Sequence, residues 1–96
     1  MITVTSPLWV WKGDTAGSWH FLTVPEEEAG EFRAESFSNR RGFGSVRVEA
    51  SIGEIRWMTS VFPAASGGYL LPVKADVRRR AGIASGDDVT FSVAIR

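Results

Sequence analysis

The chain has 96 residues with 11 basic and 11 acidic side chains, so its formal charge is zero and no overall field draws it to phosphate backbones or anionic membranes. It has no cysteine, which excludes disulfides, thiolate metal sites and a cysteine nucleophile. A chain this short predicts one domain over residues 1–96, with one core and little spare stability for a strained catalytic centre.

No apolar run reaches the roughly 20 residues that a spanning helix needs. The opening Met1-Ile2-Thr3-Val4-Thr5-Ser6-Pro7 lacks the basic and apolar regions of a signal peptide, so the expectation is a cytoplasmic protein with no membrane partner. Residues 8–11, Leu-Trp-Val-Trp, read as a short strand, because aromatic and β-branched side chains suit a pleated, half-buried surface. Small and turn-forming residues follow over 12–18. The next strand covers 19–24, with Trp19, Phe21 and Thr23 on one face and His20, Leu22 and Val24 on the other. Large apolar groups stand on both faces.

Pro25 and three glutamates predict a helix start, since proline pre-sets φ and carboxylates suit the positive end of the helix dipole. That helix is expected to reach about Phe37, turning Ala29, Phe32 and either Ala34 or Phe37 inward, with Gly30 weakening it. From Gly44 the alternation is clean: Val46, Val48, Ala50 and Ile52 share one face, and Ser45, Arg47, Glu49 and Ser51 the other. Gly53-Glu54 then predicts a tight hairpin, with the glycine at positive φ, into a strand over 55–62 that Pro63 ends. Residues 69–73 form a short apolar strand and residues 74–81 a short helix, whose last turn holds Arg78, Arg79 and Arg80 and which Gly82 terminates. Val89, Phe91, Val93 and Ile95 alternate with polar or small residues as the final strand.

The order is strand, strand, helix, strand, given twice. The expected fold is therefore mainly β with two short helices: a small double-split β-barrel of two ββαβ units in one chain, which hides its strand edges by closing on itself.

Trp19-x-Phe21 leading to Val24-Pro25, Gly44 to Gly53, Trp57-Met58-Thr59-Ser60 to Pro63, and Gly68-Tyr69 through Asp87 occur in order over nearly the whole chain. In these motifs the sequence resembles a bacterial family catalogued as domain of unknown function number nineteen hundred and five, which often accompanies a YdeI/OmpD-associated domain. The resemblance implies a split β-barrel and no established reaction. Pro72-Val73-Lys74-Ala75-Asp76-Val77-Arg78, with Ala81-Gly82-Ile83 and Gly86-Asp87-Asp88-Val89, is also similar to the AbrB/MazE swapped-hairpin motif. That likeness covers only residues 69–95 and implies dimeric DNA-binding ancestry, although the basic face which phosphate contact requires is sparse here.

Trp9, Trp11, Trp19 and Trp57 are dense for so small a domain. They read either as core bulk or, for Trp19 and Trp57 with the adjoining His20 and Arg56, as the lining of a ligand cleft. A single histidine cannot build a histidine metal cluster, and no Gly-x-Ser-x-Gly surrounds a serine, so neither a catalytic residue nor a metal or other cofactor is expected. An enzyme would need two acidic groups converging in a cleft. Arg78, Arg79 and Arg80 are a solvated helix end or, joined by Arg40 and Arg41, a nucleic-acid or anion contact. The expected function is a non-enzymatic module that binds an unknown small molecule or protein, as a monomer or homodimer. The alternative is a DNA-binding regulator of AbrB/MazE-like ancestry.

Overall fold

The computed structural model of the chain describes residues 1–12, 18–39 and 44–96. Along them run β1 (Ile2–Pro7), β2 (Trp9–Lys12), β3 (Ser18–Val24), a 3-10 turn (Glu26–Glu28), α1 (Gly30–Asn39), β4 (Val46–Ile52), β5 (Ile55–Pro63), β6 (Tyr69–Pro72), α2 (Ala75–Ala81) and β7 (Asp88–Ile95). The strands form one antiparallel sheet in the order β1-β7-β4-β5-β6-β3-β2, curled into half a barrel. The mainly β class expected from patterning is the class observed.

The β4–β5 hairpin is built as predicted. Val46 faces Val61 and the ladder runs to Ile52 opposite Ile55, with Gly53 at φ 58° making the turn. Gly82, at φ 67°, stops α2 by donating its N–H to the Arg79 carbonyl in a left-handed cap. At the first helix the expectation is corrected. Pro25 leads into a 3-10 turn, Ala29 leaves helical geometry at φ −98° and ψ 7°, and the α-helix starts only at Gly30. The glycine therefore sits at a helix end and not in its interior. Ala29 and Phe32 are buried, and Phe32 sets its ring edge-on to Tyr69 at 5.6 Å, which docks α1 on the sheet. Ala34 is exposed, and the Phe37 side chain lies outside the described residues.

β1 is an addition to the sequence reading. It pairs with β7 from Ile2 opposite Val93 to Pro7 opposite Asp88. Leu8 alone separates it from β2, yet these strands occupy opposite ends of the sheet order. Leu8 fixes the bend, donating its N–H to the Asp87 carbonyl at 2.9 Å and accepting from the Gly86 N–H at 2.7 Å. The Ser6 hydroxyl donates to the Thr23 carbonyl at 3.1 Å, lacing β1 to β3.

Taken as one bent strand, β1 and β2 match β5. β5 pairs with β4 over most of its length and with β6 at Phe62 and Pro63, while β1 pairs with β7 and β2 with β3. The remaining pairs, β3 with β6 and β4 with β7, map onto themselves. The ladder thus follows two ββαβ units whose first strand is, in one unit, broken at Leu8.

Inside the curl lies an aliphatic core: Leu22, Val24, Val48, Ala50, Val61, Leu71 and Val93 are fully buried, with Phe32 and Phe91 as its largest members. The expectation of tryptophan core bulk is corrected, since none of the four belongs to the buried set. Trp57 packs against the core while half-buried, and Trp11 and Trp19 are more than half exposed. Aliphatic side chains from six strands, β2 being the exception, fill the interior together with Phe32 and Phe91.

Candidate functional site

Strand alternation assigns each outward side chain, and register shows which of them meet. On β2 and β3, Trp9 stands opposite Phe21 and Trp11 opposite Trp19, so all four rings share the outer face of this hairpin. Trp9 and Phe21 lie 5.2 Å apart, and Trp19 stacks on Phe21 at 6.2 Å with planes 10° apart. The Trp9 indole N–H donates to the Thr23 hydroxyl at 2.9 Å, which fixes that ring in place. Trp11 and Trp19 nevertheless expose 52% and 56% of their surface.

The apolar face continues across the sheet. Phe21 stands opposite Pro72 and Thr23 opposite Leu70, and Leu70 in turn faces Phe62, which is 43% exposed. Strands β6, β3 and β2, with Phe62 at the end of β5, thus contribute to one aromatic and aliphatic surface, while the outward row of β5 carries a charge further along at Arg56.

The outer face of β1, β7 and β4 is built differently. Thr3 meets Ser92 at 2.9 Å and Thr5 meets Thr90 at 2.7 Å through their hydroxyls. Glu49 accepts a hydrogen bond from the Arg96 guanidinium, which holds its carboxyl below the usual carboxylate range. A shallow recess of about 210 Å³ lies here, with Ser51, Arg56, Ser92 and Arg96 in its lining.

The predicted ligand residues fall on two strands that β6 separates in the sheet order, and on two faces. Trp19 on β3 and Arg56 on β5 point outward; His20 and Trp57 share the inner side with the core-facing Leu22 and Ala50. Trp19 belongs to the aromatic surface and Arg56 to the recess. His20 accepts the Val73 N–H on its backbone carbonyl at 2.9 Å. Its Nδ1 and the Trp57 Nε1 are buried and have no hydrogen-bond partner among the described residues. Burial first, and the Arg78 charge second, lower the His20 pKa below 6.5.

Of the predicted arginine group, Arg78 donates to the Val73 carbonyl at 2.7 Å and so secures the start of its own helix, while Arg79 and Arg80 are exposed. Arg40 and Arg41 lie outside the described residues. Among the described residues no group of three His, Asp or Glu side chains is placed to hold a metal ion. Among the described residues no helix is long and apolar enough to cross a membrane.

Sequence reasoning missed Trp11, Phe21, Leu70 and Phe62 as members of a common surface. Its signal was present in Trp9-x-Trp11 and Trp19-x-Phe21, two period-two aromatic pairs; only the register between strands unites them with Phe62 and Leu70.

The fold defines a small, mainly β domain with a curled antiparallel sheet whose outer face is aromatic over β2 and β3 and polar over β1, β7 and β4. The family described as Domain of unknown function (DUF1905) matches residues 5–93, and the chain belongs to it. No curated protein matches the sequence.

Proposed function

We propose that the domain is a non-enzymatic binding module whose working surface is the outer face of β6, β3 and β2, with Phe62 at the end of β5. One observation carries this reading: two tryptophans more than half exposed, side by side with Trp9 and Phe21 and continuous with Phe62 and Leu70. Single exposed apolar residues are ordinary, whereas contiguous apolar patches mark interaction surfaces. Tryptophan also supplies large contact area with few rotatable bonds, so a partner gains burial at small entropic cost.

Acrylamide quenching of tryptophan emission tests this reading, because Trp11 and Trp19 are the most accessible of the four indoles. A partner seated on the face should protect them, and Phe62→Arg, which leaves all four indoles in place, should weaken that protection while the backbone circular dichroism is unchanged. A panel of peptides, metabolites and the chain itself at high concentration, none of which protects these residues, would end the proposal.

A nucleic-acid reading rests on Arg79 and Arg80, which lie exposed in the last turn of α2. It expects retention of duplex DNA at low salt that declines as salt rises and disappears with Arg79→Ala and Arg80→Ala.

A further inference from the structure

The polar half of the sheet carries a recess that the aromatic face does not explain, and register shows how it is built. On the outer face Thr3 stands opposite Ser92, Ser92 opposite Ser51 and Ser51 opposite Arg56, one row across β1, β7, β4 and β5. In the next row Ala94 stands opposite Glu49. Ser51, Ser92 and Ala94 are short, so the pleated surface lies low where they meet, while the longer Arg56, Glu49 and Arg96 stand around it. The result is the recess of about 210 Å³.

Its lining combines charge with hydrogen-bond donors. Two guanidiniums meet one carboxylate: Glu49 accepts from Arg96 and feels Arg56 through space. One carboxylate offsets one guanidinium, so the lining side chains keep a net positive charge on a chain whose total is zero. A guanidinium has five N–H donors, and the bond to Glu49 leaves Arg96 with others to give. Ser51 and Ser92 add hydroxyls from the floor. Thr3 can donate to Ser92 across β1 and β7, which frees the Ser92 proton for a ligand.

Size and direction choose the anion that answers these features. Sites that enclose a whole small molecule begin at roughly 300 Å³, so this recess takes a small ion or one group of a larger molecule. A planar carboxylate is satisfied by one guanidinium in its own plane. Here hydroxyls rise from β4 and β7 beneath, and guanidiniums approach from β5 and from beyond the end of β7, which suits the oxygens of a tetrahedral group. We infer that the recess binds a phosphate group, held between Arg56 and Arg96 with the Ser51 and Ser92 hydroxyls beneath it. Because the recess is shallow, the rest of a phosphate monoester projects into solvent. Glu49 holds Arg96 in place but opposes the ligand by its charge. This site lies on the other half of the sheet from the aromatic face, and stands whether or not that face binds a partner.

Amide NMR titrations at low, matched ionic strength with inorganic phosphate and, separately, phenyl phosphate test the inference. The amides of Ser51, Arg56 and Ser92 should shift and saturate in the millimolar range, as expected where water screens the charges. Arg56→Gln removes a charge-assisted bond and should weaken binding about tenfold. Glu49→Gln keeps an acceptor for Arg96 and removes the opposing charge, so binding should tighten several-fold, a gain that a damaged fold would not give. Saturation by both probes supports the site as the seat of a phosphorylated molecule, and saturation by inorganic phosphate alone supports it as the seat of the free ion. No saturable shift at these amides with either probe, up to on the order of 50 mM, overturns the inference. Shifts unchanged by both Arg56→Gln and Arg96→Gln overturn it, as does acetate saturating the same amides at the same concentration.

Discussion

The two halves of the sheet share one core and present opposite exteriors. On β1, β7 and β4 the outward row is hydroxyls and charges: Thr3 with Ser92, Thr5 with Thr90, and Glu49 with Arg96. On β6, β3 and β2 it is Leu70, Phe21, Trp19, Trp9 and Trp11. Inward, both halves are aliphatic, with Val48, Val93 and Val4 on one side and Leu22, Leu71 and Val24 on the other. A polar exterior keeps the first half compatible with water, whereas the second half exposes large apolar rings, and it is this difference on which the proposed binding surface rests.

The largest effects should be alike in the two halves. Phe91→Ala on β7 and Leu22→Ala on β3 each remove a fully buried side chain and should cost ~2–5 kcal/mol in denaturant unfolding. A large loss at one and a small loss at the other would mean that the two halves do not share one core. Next comes Gly68→Ala, at the entry to β6, where an added Cβ would stand 2.3 Å from the Val24 carbonyl oxygen. Backbone cannot yield as a flexible side chain can, so this change should destabilise by ~1–3 kcal/mol. Retained stability there would show that the β3–β6 pairing is looser than its register implies.

The outward rows should separate the halves. Thr90→Ala alters an exposed position and should change stability by no more than about 0.5 kcal/mol, whereas Trp19→Ser also removes a ring stacked on Phe21 and should cost about 0.5–1.5 kcal/mol. Of the two, only Trp19→Ser should weaken partner binding. Equal, negligible binding effects at both positions would erase the functional contrast.

Much of this contrast was legible in sequence, and the polar half was the easier to read. Val46, Val48 and Ala50 alternate with Arg47, Glu49 and Ser51, and both the strand and its buried face appear where period two places them. β1 was missed because its inward row, Ile2, Val4 and Ser6, ends in a hydroxyl that the structure satisfies on the Thr23 carbonyl. The start of α1 was misplaced because proline and acidic residues signal a 3-10 turn as readily as an α-helix. In the aromatic half, large residues on both faces of β3 left alternation silent about which side was the core. The assignment of tryptophan to the interior followed from residue size, whereas register assigns Trp19 and Phe21 to the face that Trp9 and Trp11 share. The candidate group of Trp19, His20, Arg56 and Trp57 joined neighbours in sequence, which in a strand point to opposite faces.

Acid should act on the two halves in different pH windows. Glu49, on the polar face, is held below its usual pKa by its hydrogen bond from Arg96, so its contribution is present near neutrality and is lost only as pH falls through the carboxylate range. Arg96→Ala should raise the Glu49 pKa in an NMR titration. His20, on the inner side of the aromatic half, is lowered from 6.5 by burial and then by Arg78. Because the unfolded chain takes up its proton first, stability is unaffected above pH 6.5 and declines as pH falls from there through the folded-state value. The chain has one histidine, so a single imidazole resonance reports it directly. Arg78→Gln keeps a donor for the Val73 carbonyl and removes the charge; the His20 midpoint should rise but stay below 6.5, since burial, the larger cause, remains. A midpoint that does not move would show that Arg78 acts on this end of the fold only through its hydrogen bond, and one that reaches 6.5 would show that the imidazole is not desolvated at all.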